Sequence, residues 1–226
     1  MAKSQYELLE EILRRLDKAG VLKGMVLVGS WCMVLYRGYF GGSYRPSIKT
    51  RDVDFLVPVP PKFRRKADVG ELLRDLGFVT HFKGSKGFIQ FQHPDLIVEF
   101  LVPERARGSD RPFQIPALGI NAQPLRYLDL VLANTISLEL NGIDVTVPHP
   151  AAFAIHKLIV STRRQSDKAE QDLSQALRIL SLLVERGEVA AVRDLLASLP
   201  PKWAKTVRRV LKDHATATLL VSLGRL

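Results

Sequence analysis

The run Asp52-Val-Asp-Phe-Leu-Val57 constrains this chain more than any other segment. Its composition and alternation predict a β-strand, in which residues i and i+2 point to one face. Asp52 and Asp54 therefore stand side by side, while Val53 and Phe55 face the opposite way. Two like charges held together in an apolar strand are costly unless a cation lies between them. The pair alone leaves a second reading open, that of ordinary surface charges on a strand.

Two further features share this pattern. Glu99 sits inside Leu96-Ile-Val-Glu-Phe-Leu101, where a buried and unpaired carboxylate is expensive. A structural ion pair with an arginine is its alternative explanation. Gly29-Ser30 ends the short apolar run Met25-Val-Leu-Val28 and precedes a helix predicted over Trp31 to Tyr39. A glycine there lets the backbone approach a ligand, and a helix N-terminus offers unpaired N–H groups to a phosphate. The Ser30 hydroxyl contacts such a phosphate or simply caps the helix. Hard oxygen ligands that leave room for phosphate oxygens suit Mg²⁺, and two such ions can serve both the attacking and the leaving oxygen of a phosphoryl displacement.

The remaining segments predict an α/β half followed by a helical half. Helices are expected over about 4–18 and 67–76, and strands over 25–28, 53–59, 78–82, 88–91 and 96–102, the last three as a meander. Glu104 to Pro116 reads as a mobile loop, and Ser137 to Val147 as a hairpin turning at Asn141-Gly142. Helical periodicity runs over 150–163, 167–186, 188–197 and 201–222. The domain boundary falls near residue 148, giving an α/β domain over 1–148 and a helical domain over 149–226.

The 226 residues carry a formal charge of +10, which favours an anionic partner such as RNA or a nucleotide, with solubility as the plainer reading. Basic residues concentrate in Lys62–Lys66 and in Lys202–Lys212, where a solvated helix face is the alternative to phosphate contact. Cys32 is the only cysteine, so no intramolecular disulfide forms. His156 reads as a packing residue. No run approaches the ~18 apolar residues of a membrane span, and the charged N-terminal helix lacks a signal peptide's apolar centre, so a cytoplasmic protein without membrane contact is expected.

Gly29-Ser30, Asp52-x-Asp54 and Glu99 together resemble the pattern of the polymerase-β-like nucleotidyltransferases, over roughly residues 20 to 102. The resemblance implies a mixed sheet with flanking helices and transfer of a nucleoside monophosphate from a nucleoside triphosphate to a hydroxyl. It implies a two-metal Mg²⁺ site on Asp52 and Asp54, assistance to the acceptor from Glu99, and triphosphate binding at Gly29 and Ser30. The long Gly38–Lys49 insertion, with Lys49, Thr50 and Arg51 before the Asp pair, is similar to the abortive-infection toxin branch. That branch implies phosphate contacts from Lys157 and Arg163, a site completed by Lys168 and Asp172, and a toxin–antitoxin setting. Lys168 and Asp172 also have the spacing of a plain i,i+4 pair. RNA, for example a tRNA end, is the preferred acceptor, with a protein hydroxyl as another, and a regulatory protein partner is left open. The alternative is a non-catalytic module that keeps the fold to bind nucleic acid or protein.

Overall fold

A computed structural model describes residues 4–41, 44–46, 50–105 and 111–224. Lys49 and residues 106–110 lie outside the described residues. The chain divides into two compact units, Met1–Val147 and Pro148–Leu226.

The first unit is built on a mixed sheet. Its strands are β1 (Val26–Val28), β2 (Asp52–Leu56), β3 (Val79–Lys83), β4 (Phe88–Gln92) and β5 (Ile97–Pro103), in the order β1-β2-β5-β4-β3. β1 runs antiparallel to β2, β2 parallel to β5, and β3 to β5 form the expected antiparallel meander. Helix α1 (Gln5–Lys18) begins at a capping box, in which Ser4 accepts from the Glu7 amide while the Glu7 carboxylate accepts from the Ser4 amide. Its buried stripe is Leu8, Leu9, Ile12, Leu13 and Leu16. Helix α2 (Cys32–Phe40) follows a 3-10 turn over Gly29–Trp31, and α3 (Val69–Arg74) is capped by Asp68.

Alternation sorts the sheet into two faces. Val53, Phe55, Phe91, Val98 and Phe100 form a dry face, with Phe55 stacked on Phe100 at 5.8 Å and Phe91 edge-on to Phe100 at 6.3 Å. Helix α3 lies against it, with Gly70 close to the Phe91 ring. Asp52, Asp54 and Glu99 occupy the other face.

Part of the predicted loop is ordered structure. Phe113–Ile115 forms strand β6, paired with β7 (Ile120–Leu125), which in turn runs parallel to the end of β5. Helix α4 (Leu128–Leu132) then packs Leu128 and Val131 on Val26, Val28, Leu56 and Leu101. The hairpin of β8 (Thr135–Leu140) and β9 (Ile143–Pro148) turns at Asn141 and Gly142, whose φ angles of 49° and 81° are those of a type I′ turn.

The second unit is helical: α5 (Pro150–Ser161), α6 (Ser166–Glu185), α7 (Val189–Ser198), α8 (Pro201–His214) and α9 (Ala217–Leu223). The single helix expected over 201–222 is two, because Ala215 is extended and the Thr216 side chain caps a new start by accepting from Leu219 N. No helix among the described residues is long and apolar enough to cross a membrane.

Candidate active site

Register, not sequence proximity, assembles the acidic face. Asp54 is the Cα partner of Glu99 across the parallel β2–β5 ladder, and Asp52 is the partner of Ile97. Neighbouring strands lie about 4.8 Å apart, so paired residues on one face are in direct reach of one another. The row extends across the sheet as Val28, Asp54, Glu99, Gln90 and His81. One residue pair further along, Val26, Leu56 and Leu101 carry the apolar patch that α4 seals. The three carboxylates therefore stand at the rim of a dry patch and remain partly exposed.

Glu99 is held from one side. Lys83 Nζ lies 2.8 Å from Oε1, and the amide Nε2 of buried Gln90 also donates to Oε1. Gln92 Nε2 donates to Gln90 Oε1 at 3.3 Å, which orients the Gln90 amide with its N–H₂ toward the carboxylate. Oε2 has no partner among the described residues. The expected alternative for Glu99, an arginine pair, is thus replaced by a lysine and a glutamine, both supplied by the meander. Lys83 and Gln90 were missed in the sequence; the only signal was that Gln90 lies on the strand predicted to pair with that of Glu99, and Lys83 just past the strand before it.

Gly29 adjoins Asp54. Its φ is +72°, and a Cβ there would lie 2.7 Å from Asp54 Oδ2. Both the backbone conformation and the carboxylate therefore require glycine. Ser30 is buried and is not the N-cap of either helical segment, since Val28 and Trp31 hold those places.

The residues expected from the helical half fall into two groups. Lys157 Nζ pairs with Asp172 Oδ1 at 2.5 Å, both side chains buried, and the ammonium lies 5.2 Å from the Phe153 ring centroid. Arg164, not Arg163, completes the cluster at 3.1 Å from Asp172 Oδ2. This pair fastens α5 to α6, and Lys168 is not among the partners of Asp172. Arg163 and Lys168 are exposed, Arg163 in the turn after α5 and Lys168 in the first turn of α6. His156, buried beside Lys157 and Arg164, is pushed down to about 3, by desolvation first and by the two cations second. It is neutral near pH 7 and cannot serve as an exposed base.

Among the described residues, no group of three or more His, Cys, Asp or Glu side chains could hold a metal ion. Mg²⁺ does not require one, because it is bound through one or two carboxylates plus waters and substrate phosphates. The absent Cβ at Gly29 leaves space beside Asp54 Oδ2 for such a ligand set, so the residues fit.

A nucleotidyltransferase family profile matches residues 7–199. The chain belongs to the nucleotidyltransferase family. It is an enzyme of nucleotidyl transfer, and the mixed sheet with flanking helices is the fold expected of it. No curated protein matches its sequence. Solved structures similar to this nucleotidyltransferase include the antibiotic-resistance factor ANT(2″)-Ia in solution, at 11% identity over 94% of each chain with a TM-score of 0.44. The crystal structure of ANT(2″)-Ia with adenylyl-2″-tobramycin matches at 15% identity, over 83% of this chain and 95% of that one, with a TM-score of 0.42. An antigenic nucleotidyltransferase-like protein from Paracoccidioides brasiliensis matches at 16% identity, over 91% and 94% of the two chains, with a TM-score of 0.45.

Two outcomes follow from this geometry. Gly29→Ala should lose about 1–2 kcal/mol in urea denaturation from its left-handed backbone, and part of any further loss should vanish in an Asp54→Ala background, where the carboxylate clash is gone. An unfolded histidine titrates at its ordinary value while His156 stays neutral to about 3, so the unfolded state binds the extra proton and stability falls as pH drops through that window. Between pH 7.5 and 5 the wild type should lose about 2 kcal/mol more than His156→Phe.

Proposed function

We propose that this enzyme is a Mg²⁺-dependent nucleotidyltransferase that moves a nucleoside monophosphate from a nucleoside triphosphate to a hydroxyl of RNA. The observation that carries the reading is the acidic row, with Asp54 opposite Glu99 and Asp52 two residues away on the same open face. Asp52 and Asp54 would hold the metal. When bound, it neutralises phosphate charge and stabilises the oxygens that gain charge in the displacement. Gly29 lets the triphosphate approach Asp54, and the helical start beyond it presents backbone N–H groups.

The acceptor oxygen attacks the α-phosphorus, its bond to the bridging oxygen breaks, and pyrophosphate leaves. The hydroxyl proton passes to Glu99 Oε2, the oxygen that Lys83 and Gln90 leave available. The net charge of +10 supports RNA over a neutral small acceptor. Resemblance to the abortive-infection toxins supports a toxin–antitoxin setting.

Incubation with Mg²⁺, each α-labelled nucleoside triphosphate and total RNA, followed by a denaturing gel, tests this reading. Label should appear on RNA and fall about 100-fold or more in Asp52→Asn, Asp54→Asn and Glu99→Gln. Label on a polypeptide instead would move the acceptor to protein, and undiminished label with Asp54→Asn would remove the metal assignment.

A further inference from the structure

Helix α8 carries a row of cations that folding does not explain. Ala204, Val207, Val210 and Leu211 are buried, while Lys202, Lys205, Arg208, Arg209 and Lys212 are exposed on the other side. The last four recur at i, i+3, i+4 and i+7, which is one stripe of a helix. With Lys202 the stripe spans about 15 Å at 1.5 Å per residue.

Every neighbouring pair along this stripe is like-charged, and like charges at i,i+3 and i,i+4 destabilise a helix. The first turn has no acidic residue, and Lys202 and Lys205 lie toward the N-terminal end, where the helix dipole disfavours cations. Among the described residues none of these five side chains has an ion-pair or hydrogen-bond partner. Several arginines elsewhere are neutralised instead. Arg14, Arg15, Arg74, Arg126, Arg164 and Arg186 all pair with carboxylates.

We infer that the exposed face of α8 is a landing surface for the phosphate backbone of RNA. An anionic membrane does not suit it, because a membrane-bound amphipathic helix inserts its apolar side, and here that side is in the protein core. An acidic protein helix does not suit it either, because such docking needs apolar anchors and the stripe exposes none. A row of unpaired cations with nothing apolar between them complements a polyphosphate, whose binding is driven by counterion release. The choice of RNA over DNA rests on the acceptor proposed above, and it would give the enzyme a hold on RNA separate from its acidic row.

The test reads binding without catalysis. Fluorescence anisotropy of a labelled 20-nucleotide RNA is measured across salt concentrations, in EDTA and without nucleotide. Lys205→Gln/Arg208→Gln/Arg209→Gln/Lys212→Gln should weaken binding and reduce the slope of log K against log salt by about 3, at about 0.7 per phosphate contact. Arg208→Gln/Arg209→Gln alone should give about half that change. Its far-ultraviolet circular dichroism should match the wild type, because only exposed groups change. A control that neutralises Lys62, Arg64, Arg65 and Lys66 removes equal charge and should keep the slope.

Asp52→Asn/Asp54→Asn should bind RNA as the wild type does, so loss of transfer and loss of docking are separate results. An unchanged slope in both α8 variants, or an equal loss in the control, would overturn the assignment. Loss of binding to single-stranded DNA alone, with RNA binding kept, would overturn it as well.

Discussion

The in-register parallel pairing of β2 with β5 is the constraint on which the rest of the first unit depends. It sets Asp54 beside Glu99 and leaves Asp52 on the same face, and a shift of one residue would send Glu99 into the aromatic core. Phe55 and Phe100 fix that register from the other side, since they stack only while the two strands stay aligned. The dry face therefore maintains the geometry of the wet one. Hydrophobic packing opposes the mutual repulsion of the acids, and it does so without covering them.

The acids are also kept usable by what surrounds them. Helix α4 closes the apolar end of their face but stops short of the row. Gly29 carries no Cβ to crowd Asp54. Lys83 and Gln90 engage a single oxygen of Glu99, which fixes the carboxylate while leaving its second oxygen without a partner among the described residues. A module that only bound partners would have no use for a like-charged row assembled at this cost.

Much of this was legible in the sequence, for stated reasons. The alternation around Asp52 and the apolar flanks of Glu99 predict both strands and the shared face of the Asp pair. The helical periodicity over 4–18 and the Asn141-Gly142 turn are local signals, and local signals are readable. The pairing of Asp54 with Glu99 is not local, and it required the structure. Strand β7 was missed because Asn121, Gln123 and Pro124 break any strand pattern, its role coming from pairing alone. Helix α4 was missed because it is short and starts after Tyr127, a non-glycine residue at φ 69°. In the helical unit, the resemblance to the abortive-infection branch singled out Lys157, Arg163, Lys168 and Asp172, but only packing could reveal that Arg164 joins Asp172 and that Lys157 is buried in the pair.

The central claim is that Asp52 and Asp54 jointly bind a divalent cation together with a triphosphate. Titration with Mn²⁺, followed by loss of its free electron paramagnetic resonance signal in the presence of a non-hydrolysable nucleoside triphosphate, tests it most directly. The account predicts nucleotide-dependent uptake by the wild type and affinity at least about 10-fold weaker in Asp52→Asn and in Asp54→Asn. Equal uptake by the wild type and the double variant Asp52→Asn/Asp54→Asn would contradict it.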